Sequence, residues 1–126
     1  MGCALRELKE LRVTVDKVVY MPHLEAPPDR PYPFEYSITI HNQSPEIVTI
    51  KGRKWVVTDE TGGRIVVEGD GVSGKCPCLA PGEKFSYRSY HVIASNSVAE
   101  GSFIGISSQG TPVLTRIPKF ELRLPE

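Results

Sequence analysis

Residues 34–40 give the clearest pattern of hydrophobic and polar positions in the chain. Their sequence, FEYSITI, places an aromatic or β-branched residue at every second position and a polar residue between each pair. A period of two is typical of a strand that buries one face. Similar runs, rich in strand-forming residues, occur at residues 12–20, 47–50, 55–58, 64–68, 84–93, 100–107 and 113–124. The pattern therefore predicts a fold made of short strands.

Turn signals separate these runs. The stretch 21–33 contains five prolines and cannot form regular structure. Residues 42–45 predict a turn, Lys51-Gly52 predicts a bulge, and residues 59–63 predict a hairpin loop. Short strands between such turns favour an all-β sandwich or barrel over an α/β fold. Only the N-terminal stretch 3–11, with leucines at 5, 8 and 11, predicts one or two helical turns.

A sandwich needs large buried side chains between its sheets. We expect the single tryptophan, Trp55, to fill this role. The other side chains that we expect in the core are Phe34 or Tyr36, Ile38, Ile40, Phe85 and Phe103.

Length and charge limit the classes of function. A chain of 126 residues favours one domain, and 15 basic against 15 acidic residues give no net charge. We therefore expect no nucleic-acid partner, since nucleic-acid-binding proteins usually carry a basic excess.

No stretch is long and apolar enough to cross a membrane, and three cysteines without an export signal favour the cytoplasm. Weak charge repulsion allows a homodimer that pairs through a strand edge.

The stretch EGDGVSGKCPCLAPGE, residues 68–83, contains two nucleotide-loop patterns. Gly69, Gly71 and Gly74 spell G-x-G-x-x-G, and the same segment up to Lys75 spells most of a P-loop. Both motifs need a following helix, whose N-terminus holds the phosphates. The prolines at 77 and 81 leave no room for that helix, so we predict that the loop binds no nucleotide in either way. At least one of the three glycines should instead adopt a positive φ.

A weaker contact between this loop and an anion or a partner stays open, because successive backbone N–H groups can hold an anion without a helix. The candidate residues for such a contact are Gly69, Asp70, Gly71, Val72, Gly74 and Lys75.

Cysteines and histidines do not form a recognisable metal motif. Cys76 and Cys78 lack the usual zinc-ligand spacing, and two small, half-buried thiols explain the pair more simply. His23, His41 and His91 are spread along the chain. We therefore predict no metal site and no cofactor.

The acidic residues Asp59, Glu68, Asp70 and Glu83 all fall at turns. Any two could approach each other as an acid–base pair, but turn carboxylates far more often bond the local backbone. The chain also has no nucleophile elbow and no HExxH motif. We predict no catalytic residue.

The order of several motifs resembles the ApaG family of small bacterial proteins, from about Val13 to Pro125. The motifs are FEYSITI at 34–40 with Asn42, RKWVVTD at 53–59, GDGVSG at 69–74, then Pro77, Leu79, PGE at 81–83, Phe85, Tyr87, Ser89, GSF at 101–103 and IPKFELRLP at 117–125. Lys75-Cys76 replaces the Glu-Gln of the family, so the cysteine pair is not part of the family pattern. Residues 1–12 form an N-terminal extension in this interpretation, and residues 13–126 form the domain.

The resemblance implies an immunoglobulin- or fibronectin-III-like antiparallel β-sandwich. It also implies a loose connection with cobalt resistance and magnesium efflux, under the name CorD. Similar domains in eukaryotic F-box proteins and in a polymerase-delta-interacting protein look like binding modules. The family supplies no catalytic residues to carry over.

We interpret the chain as a non-enzymatic module that binds another protein, with loops 21–33 and 69–75 as its functional surface. Two alternatives stay open. A metal-linked role in cobalt or magnesium homeostasis requires clustered oxygen or imidazole ligands. Phosphate or nucleotide binding through the Gly69–Gly74 loop, with or without catalysis, requires donors or an acid–base pair beside that loop.

Overall fold

This computed structural model describes residues 5–125, which form nine strands and no helix. The strands are β1 (Arg6–Glu7), β2 (Leu11–Tyr20), β3 (Tyr32–Asn42), β4 (Val48–Asp59), β5 (Arg64–Asp70), β6 (Cys78–Leu79), β7 (Lys84–Ile93), β8 (Ser97–Ser107) and β9 (Pro112–Leu122). Each alternating run in the sequence overlaps one of these strands. The described residues contain no helix that could span a membrane.

The strands form two sheets that pack face to face. The larger sheet has the order β1-β9-β8-β4-β5, with β6 also paired to β4, and the smaller sheet has the order β2-β3-β7. All strand pairs are antiparallel except the short pair of β1 with β9. This architecture confirms the predicted all-β, immunoglobulin-like antiparallel sandwich.

One core lies between the inner faces of the two sheets. Trp55 is 1 % exposed and Phe103 is 0 % exposed, as expected for the largest anchors. The aromatic and isoleucine side chains of β3 that were expected in the core are also buried, namely Phe34, Tyr36, Ile38 and Ile40. Phe85 is only partly buried, so the expectation of a largely buried Phe85 is wrong. Its strand, β7, is an edge strand, and one flank of the side chain has no neighbouring strand to cover it.

β4 contains the bulge that Lys51-Gly52 predicts. The register between β4 and β8 shifts between Ile50 and Gly52, so the two sheet partners lose their one-to-one pairing there. The sequence runs 47–50 and 55–58 are therefore two parts of one bent strand. This bend lies beside the glycine-rich segment, because the Gly71 N–H donates to the Lys51 carbonyl oxygen at 2.8 Å.

The N-terminal segment is not helical over its described part, so the predicted helical turns are wrong. Arg6–Glu7 is a strand that pairs with β9, and Leu8 and Leu11 are buried in the domain core at 5 % and 1 % exposure. The chain crosses from the larger to the smaller sheet through a turn in which the Leu11 N–H donates to the Leu8 carbonyl oxygen at 3.1 Å. A turn between sheets places leucines three residues apart on one side, as a helix also would. Residues 3 and 4 lie outside the described residues.

The two loops that the sequence singled out lie at opposite ends of the sandwich. The proline loop, residues 21–31, precedes the first residue of β3, Tyr32. The last residue of β3, Asn42, lies near the glycine loop, residues 69–75. Its Nδ2 donates at 2.8 Å to the carbonyl oxygen of Leu79, four residues after the end of that loop. Eleven strand residues span about 35 Å. The two loops therefore do not form one functional surface, and that part of the expectation is wrong.

Candidate functional site at the glycine loop

The tip of the glycine loop is a tight hairpin. The Val72 N–H donates to the Lys75 carbonyl oxygen at 2.7 Å, and the Lys75 N–H donates back to the Val72 oxygen at 3.0 Å. The two residues between them, Ser73 and Gly74, have φ values of 51° and 77°. Two successive positive φ angles are the geometry of a two-residue hairpin turn. Gly71 also has a positive φ, 66°, which confirms the prediction for the three glycines.

Val72 and Gly71 fix this hairpin to the body of the protein. The Val72 side chain is 0 % exposed and belongs to the core cluster. Gly71 passes so close to the hairpin that a Cβ atom there would lie 2.5 Å from the Lys75 carbonyl oxygen. Because φ is positive and this space is filled by backbone, no other residue fits at position 71 without rearrangement. The loop is therefore an integral, packed part of the domain.

Arg53 holds the start of the loop from the adjacent strand. Its Nη1 donates to the carbonyl oxygens of Asp70 at 2.8 Å and Gly71 at 3.2 Å. The guanidinium lies over Gly69, where a Cβ atom would approach it to 2.9 Å. Gly69 thus leaves room for the arginine. In the sequence analysis Arg53 appears only as part of the motif RKWVVTD at 53–59, without a role of its own. Its position two residues before the buried Trp55 was the available signal, because alternate residues of a strand share a face.

These contacts limit what the loop can bind through its backbone. The N–H groups of Gly71, Val72 and Lys75 are all donated within the protein. Cys76 and Cys78 are free and exposed, so the interpretation of half-buried thiols is wrong. A two-residue strand, not a helix, follows the loop. The groups that face solvent are the exposed tip residues Ser73, Gly74 and Lys75 together with the Asp70 side chain. The arrangement suits recognition by surface contact rather than capture of a phosphate.

An aromatic cluster lies in the core next to Arg53. Tyr36 stacks on His91 with ring centroids 4.6 Å apart, and Trp55 meets both rings at about 5 Å. Burial lowers the pKa of His91 to about 4, so the imidazole is neutral at neutral pH. Burial raises the pKa of Tyr36 and of Tyr87. Within residues 5–125, the buried atoms Trp55 Nε1 and His91 Nε2 have no hydrogen-bond partner.

Three isoleucines form an exposed apolar patch beside the glycine loop. Ile104 and Ile106 lie on the outer face of β8 at 38 % and 41 % exposure, opposite Gly52 and Thr49 of the bent part of β4. Ile47 directly precedes β4 and is 44 % exposed. We call Ile47, Ile104 and Ile106 the isoleucine patch. A shallow depression of about 450 Å³ connects Ile104 with Gly69 and Asp70.

The remaining candidate residues are apart from this site. Among the histidines, His23 is exposed in the proline loop, His91 is in the core and His41 faces outward on the smaller sheet. Asp59 Oδ1 accepts bonds from the Thr61 hydroxyl at 2.6 Å and the Gly63 N–H at 2.9 Å, which lower the pKa of Asp59. Glu83 likewise accepts the N–H of Ala80 at 2.7 Å. Both carboxylates have the local turn roles that were expected.

A hydroxyl network on the outer face of the smaller sheet was missed from the sequence. Asp16 accepts hydrogen bonds from Thr14 at 2.9 Å and Thr39 at 2.5 Å. The Thr14 hydroxyl then accepts from His41 Nε2 at 3.1 Å, and the Thr39 hydroxyl accepts from Ser86 at 2.8 Å, since each threonine proton is already used. Every proton in the network points toward the carboxylate. The cluster therefore links β2, β3 and β7 through side-chain hydrogen bonds, and strand pairing alone could have revealed it.

Comparison with known proteins gives related sequences and structures. Residues 22–106 match a family model described as the ApaG domain. Protein ApaG of Methylococcus capsulatus is 36 % identical over 121 residues, which cover 95 % of each chain. Protein ApaG of Escherichia coli O1:K1 is 34 % identical over 108 residues, covering 85 % of this chain and 86 % of the relative.

Solved structures agree with the fold over nearly the whole chain. An X-ray structure from a structural genomics programme matches with a TM-score of 0.83 and 31 % identity, covering 92 % of this chain and 88 % of the other. An ApaA protein from Bordetella pertussis matches with a TM-score of 0.80 and 28 % identity, covering 98 % and 99 % of the two chains.

Proposed function

Since this chain belongs to the ApaG family, we propose that it is a binding module without catalytic activity and that its partner is another protein. The observation that carries the proposal is the isoleucine patch next to a fixed, protruding loop. Contiguous exposed apolar side chains on a soluble domain mark interaction sites, because a partner removes them from water. The loop and the patch lie at the same end of the larger sheet, so one partner can contact both.

The glycine loop would supply specificity in this complex. Its tip presents Ser73, Gly74 and Lys75 to solvent, while Val72 and Arg53 hold the backbone beneath. A loop that is already ordered loses little conformational entropy on binding. Lys75 adds one cation at the rim, where charges mainly influence the association rate and the choice of partner. We infer that the partner presents an apolar surface bordered by an acidic group.

Two features support a non-catalytic role with an indirect connection to metals. The carboxylates of Asp59 and Glu83 are engaged in their own turns. In the part of the chain that the structure describes, no three side chains of the metal-binding types come together. We therefore propose that any part in cobalt resistance or magnesium efflux acts through the bound protein. The exposed thiols of Cys76 and Cys78 suit a reducing cytoplasm, which is where we place the protein.

Capture of partners by two matched variants tests this proposal. Ile104 and Val98 lie on the outer face of the same strand with 38 % exposure each, but only Ile104 belongs to the isoleucine patch. Ile104→Glu should reduce capture of the partner from a bacterial lysate by at least tenfold, because a buried carboxylate without a counter-ion opposes binding. Val98→Glu should capture the same partner as the unmodified protein. Thermal unfolding checks that both variants are folded. Equal capture by the two variants would refute the proposed surface.

A further inference from the structure

The free edge of β5 has unpaired backbone groups at alternate residues. On the other side of the strand, the Asp59 N–H donates to the Gly63 oxygen and the Gly71 N–H donates to the Lys51 oxygen, both at 2.8 Å. Between these two bonds, β4 and β5 pair without a register shift. The backbone groups of residues 65, 67 and 69 therefore point toward β4. The residues of β5 whose N–H and C=O groups point away from β4 are Arg64, Val66 and Glu68, together with Asp70, whose carbonyl oxygen accepts a hydrogen bond from Arg53.

The side chains of β5 are complementary to a second copy of the same strand. Its first five residues are RIVVE, with a cation, three aliphatic residues and an anion. Val66, at the centre, is 54 % exposed and is the most exposed large hydrophobic side chain in the described residues. If two copies pair antiparallel about Val66, Arg64 of each copy lies directly opposite Glu68 of the other. Opposite charges in directly opposed positions stabilise strand pairs.

We propose that two copies of this chain associate through their β5 edges, as an antiparallel pair with two-fold symmetry centred on Val66. The outward backbone groups of Arg64, Val66 and Glu68 are the ones that this register uses, with two hydrogen bonds at each opposed pair. Backbone geometry and side-chain charge thus select the same register independently. The larger sheets of the two copies become one continuous sheet.

The other face of the strand agrees with this register. Ile65 lies opposite Val67 of the second copy, and Val67 lies opposite Ile65 of the second copy. In the single chain Val67 is 39 % exposed at the margin of the core. A neighbouring strand would cover it, so the core would continue across the two-fold axis. Burial of these aliphatic side chains adds a hydrophobic contribution to the backbone pairing.

The free edges of the smaller sheet are less suited to pairing with themselves. β7 carries the exposed cations Lys84 and Arg88 and no acidic residue, so no register of β7 with itself gains a pair of opposite charges. β2 has an irregular register between Val15 and Lys17, and a bulge interrupts regular pairing. β5 has neither obstacle.

The proposed dimer is separate from the proposed protein-binding surface. The isoleucine patch lies on and beside β8, and β4 separates that strand from β5. Both copies would keep their patch accessible, so the dimer would be bivalent for its partner. Loss of either property would leave the other testable.

Charge reversal on β5 tests the register. Arg64→Glu places a second carboxylate opposite Glu68 of the other copy, and Glu68→Arg places two arginines opposite each other. Each single variant should raise the dimer dissociation constant at least tenfold in sedimentation velocity. The double variant R64E/E68R restores opposite charges and should dimerise like the unmodified protein. An equimolar mixture of the two single variants should form a heterodimer, because every opposed pair is then complementary.

Two further variants separate pairing from charge and from folding. Val66→Pro removes an N–H that points to solvent in the single chain, so it should abolish dimerisation while the monomer stays folded. Arg116→Glu reverses an exposed charge on β9, where Arg116 pairs with Glu7, and should leave the dimer unchanged. An unmodified protein that sediments only at the 13.9 kDa monomer mass would overturn the proposal. So would single variants that do not recover on mixing, because the register would then be wrong.

Discussion

The glycine loop and the proline loop are both rich in turn-forming residues but differ in how they join the fold. The glycine loop buries Val72 completely, donates the N–H groups of Gly71, Val72 and Lys75 within the protein and receives two hydrogen bonds from Arg53. None of the residues 21–31 is buried, and their turns rest on single backbone bonds such as that from Leu24 to Met21 at 3.1 Å. Composition identifies both loops as irregular, but only the glycine loop is packed into the core.

The difference has a practical consequence for assigning function by mutation. A substitution in the glycine loop acts on folding before it acts on any ligand, because the loop is part of the core. A substitution in the proline loop acts locally. Loss of an activity after mutation of Gly71 therefore does not identify a binding residue, unless stability is measured on the same variant.

The largest expected effect is that of Gly71→Val. The variant combines left-handed strain with a clash against the Lys75 carbonyl oxygen, and it should lose about 4 kcal/mol of unfolding free energy. Gly74→Val is the matched control, since Gly74 also has a positive φ but has nothing within 4 Å of its Cβ position. That control should lose about 1–2 kcal/mol in urea denaturation. Equal losses of unfolding free energy in the two variants would mean that the close backbone approach at Gly71 does not contribute to the cost of the substitution.

The core near the proline loop should be sensitive to acid. His91 is paired with Phe34, near the start of β3, and burial lowers the pKa of His91 to about 4. The unfolded chain, with an ordinary histidine pKa near 6.5, binds the proton more readily. This contribution to stability is therefore complete above pH 6.5 and is lost as the pH falls from 6.5 toward 4, up to about 3 kcal/mol.

Urea denaturation of the protein and of His91→Phe at pH 7, 5.5 and 4.5 checks this expectation. The aromatic substitution keeps ring packing against Tyr36 and Trp55 but cannot bind a proton. Its stability should therefore fall less steeply with acid than that of the unmodified protein. The same slope in both proteins would assign the acid sensitivity to carboxylates elsewhere.

The proline loop itself should tolerate change. Pro28 is exposed, and Pro28→Ala mainly increases the conformational freedom of the unfolded chain. We expect a loss of less than about 1 kcal/mol in the same denaturation experiment. A loss comparable to that of Gly71→Val would show that the proline loop is as integral to the fold as the glycine loop.

The smallest expected effect is that of nucleotides on the glycine loop. Calorimetric titration with ATP, GTP and diadenosine tetraphosphate should give no binding heat beyond dilution, because the N–H groups of Gly71, Val72 and Lys75 are used within the protein and no helix follows. The exposed side chain of Lys75 alone offers a hydrated charge of little affinity. Saturable binding that disappears in a folded Lys75→Ala variant would show that the loop is a phosphate site after all.

Most of the fold could be predicted because strand periodicity and turn residues are local signals. FEYSITI specifies a half-buried strand without reference to the rest of the chain, and Lys51-Gly52 marks the bulge of β4 in the same way. The N-terminal leucines were misinterpreted, since spacing alone cannot separate a helix from a turn between sheets. Phe85 was misjudged because its burial depends on whether β7 has one neighbouring strand or two.

The candidate site was less predictable because it depends on which strands become neighbours. Arg53 reaches Gly69 across the β4–β5 pair, and Thr14 meets Thr39 across the β2–β3 pair. A single sequence contains no direct signal for such pairing. The glycines were recognised, but their purpose was visible only once the carbonyl oxygen of Lys75 and the guanidinium of Arg53 were in place.

The parallel pair of β1 with β9 determines how the domain would respond to mechanical force. β1 lies beside Val113 and Leu114 at the glycine-loop end, whereas Pro125 lies near Tyr20 and Phe34 at the other end. Tension between residues 5 and 125 would pull the two parallel strands past each other in shear. Only two residue pairs resist that motion before Leu8 must leave the core. Under load the first element to detach would be β1, and the sandwich behind it would still be closed by its antiparallel strands.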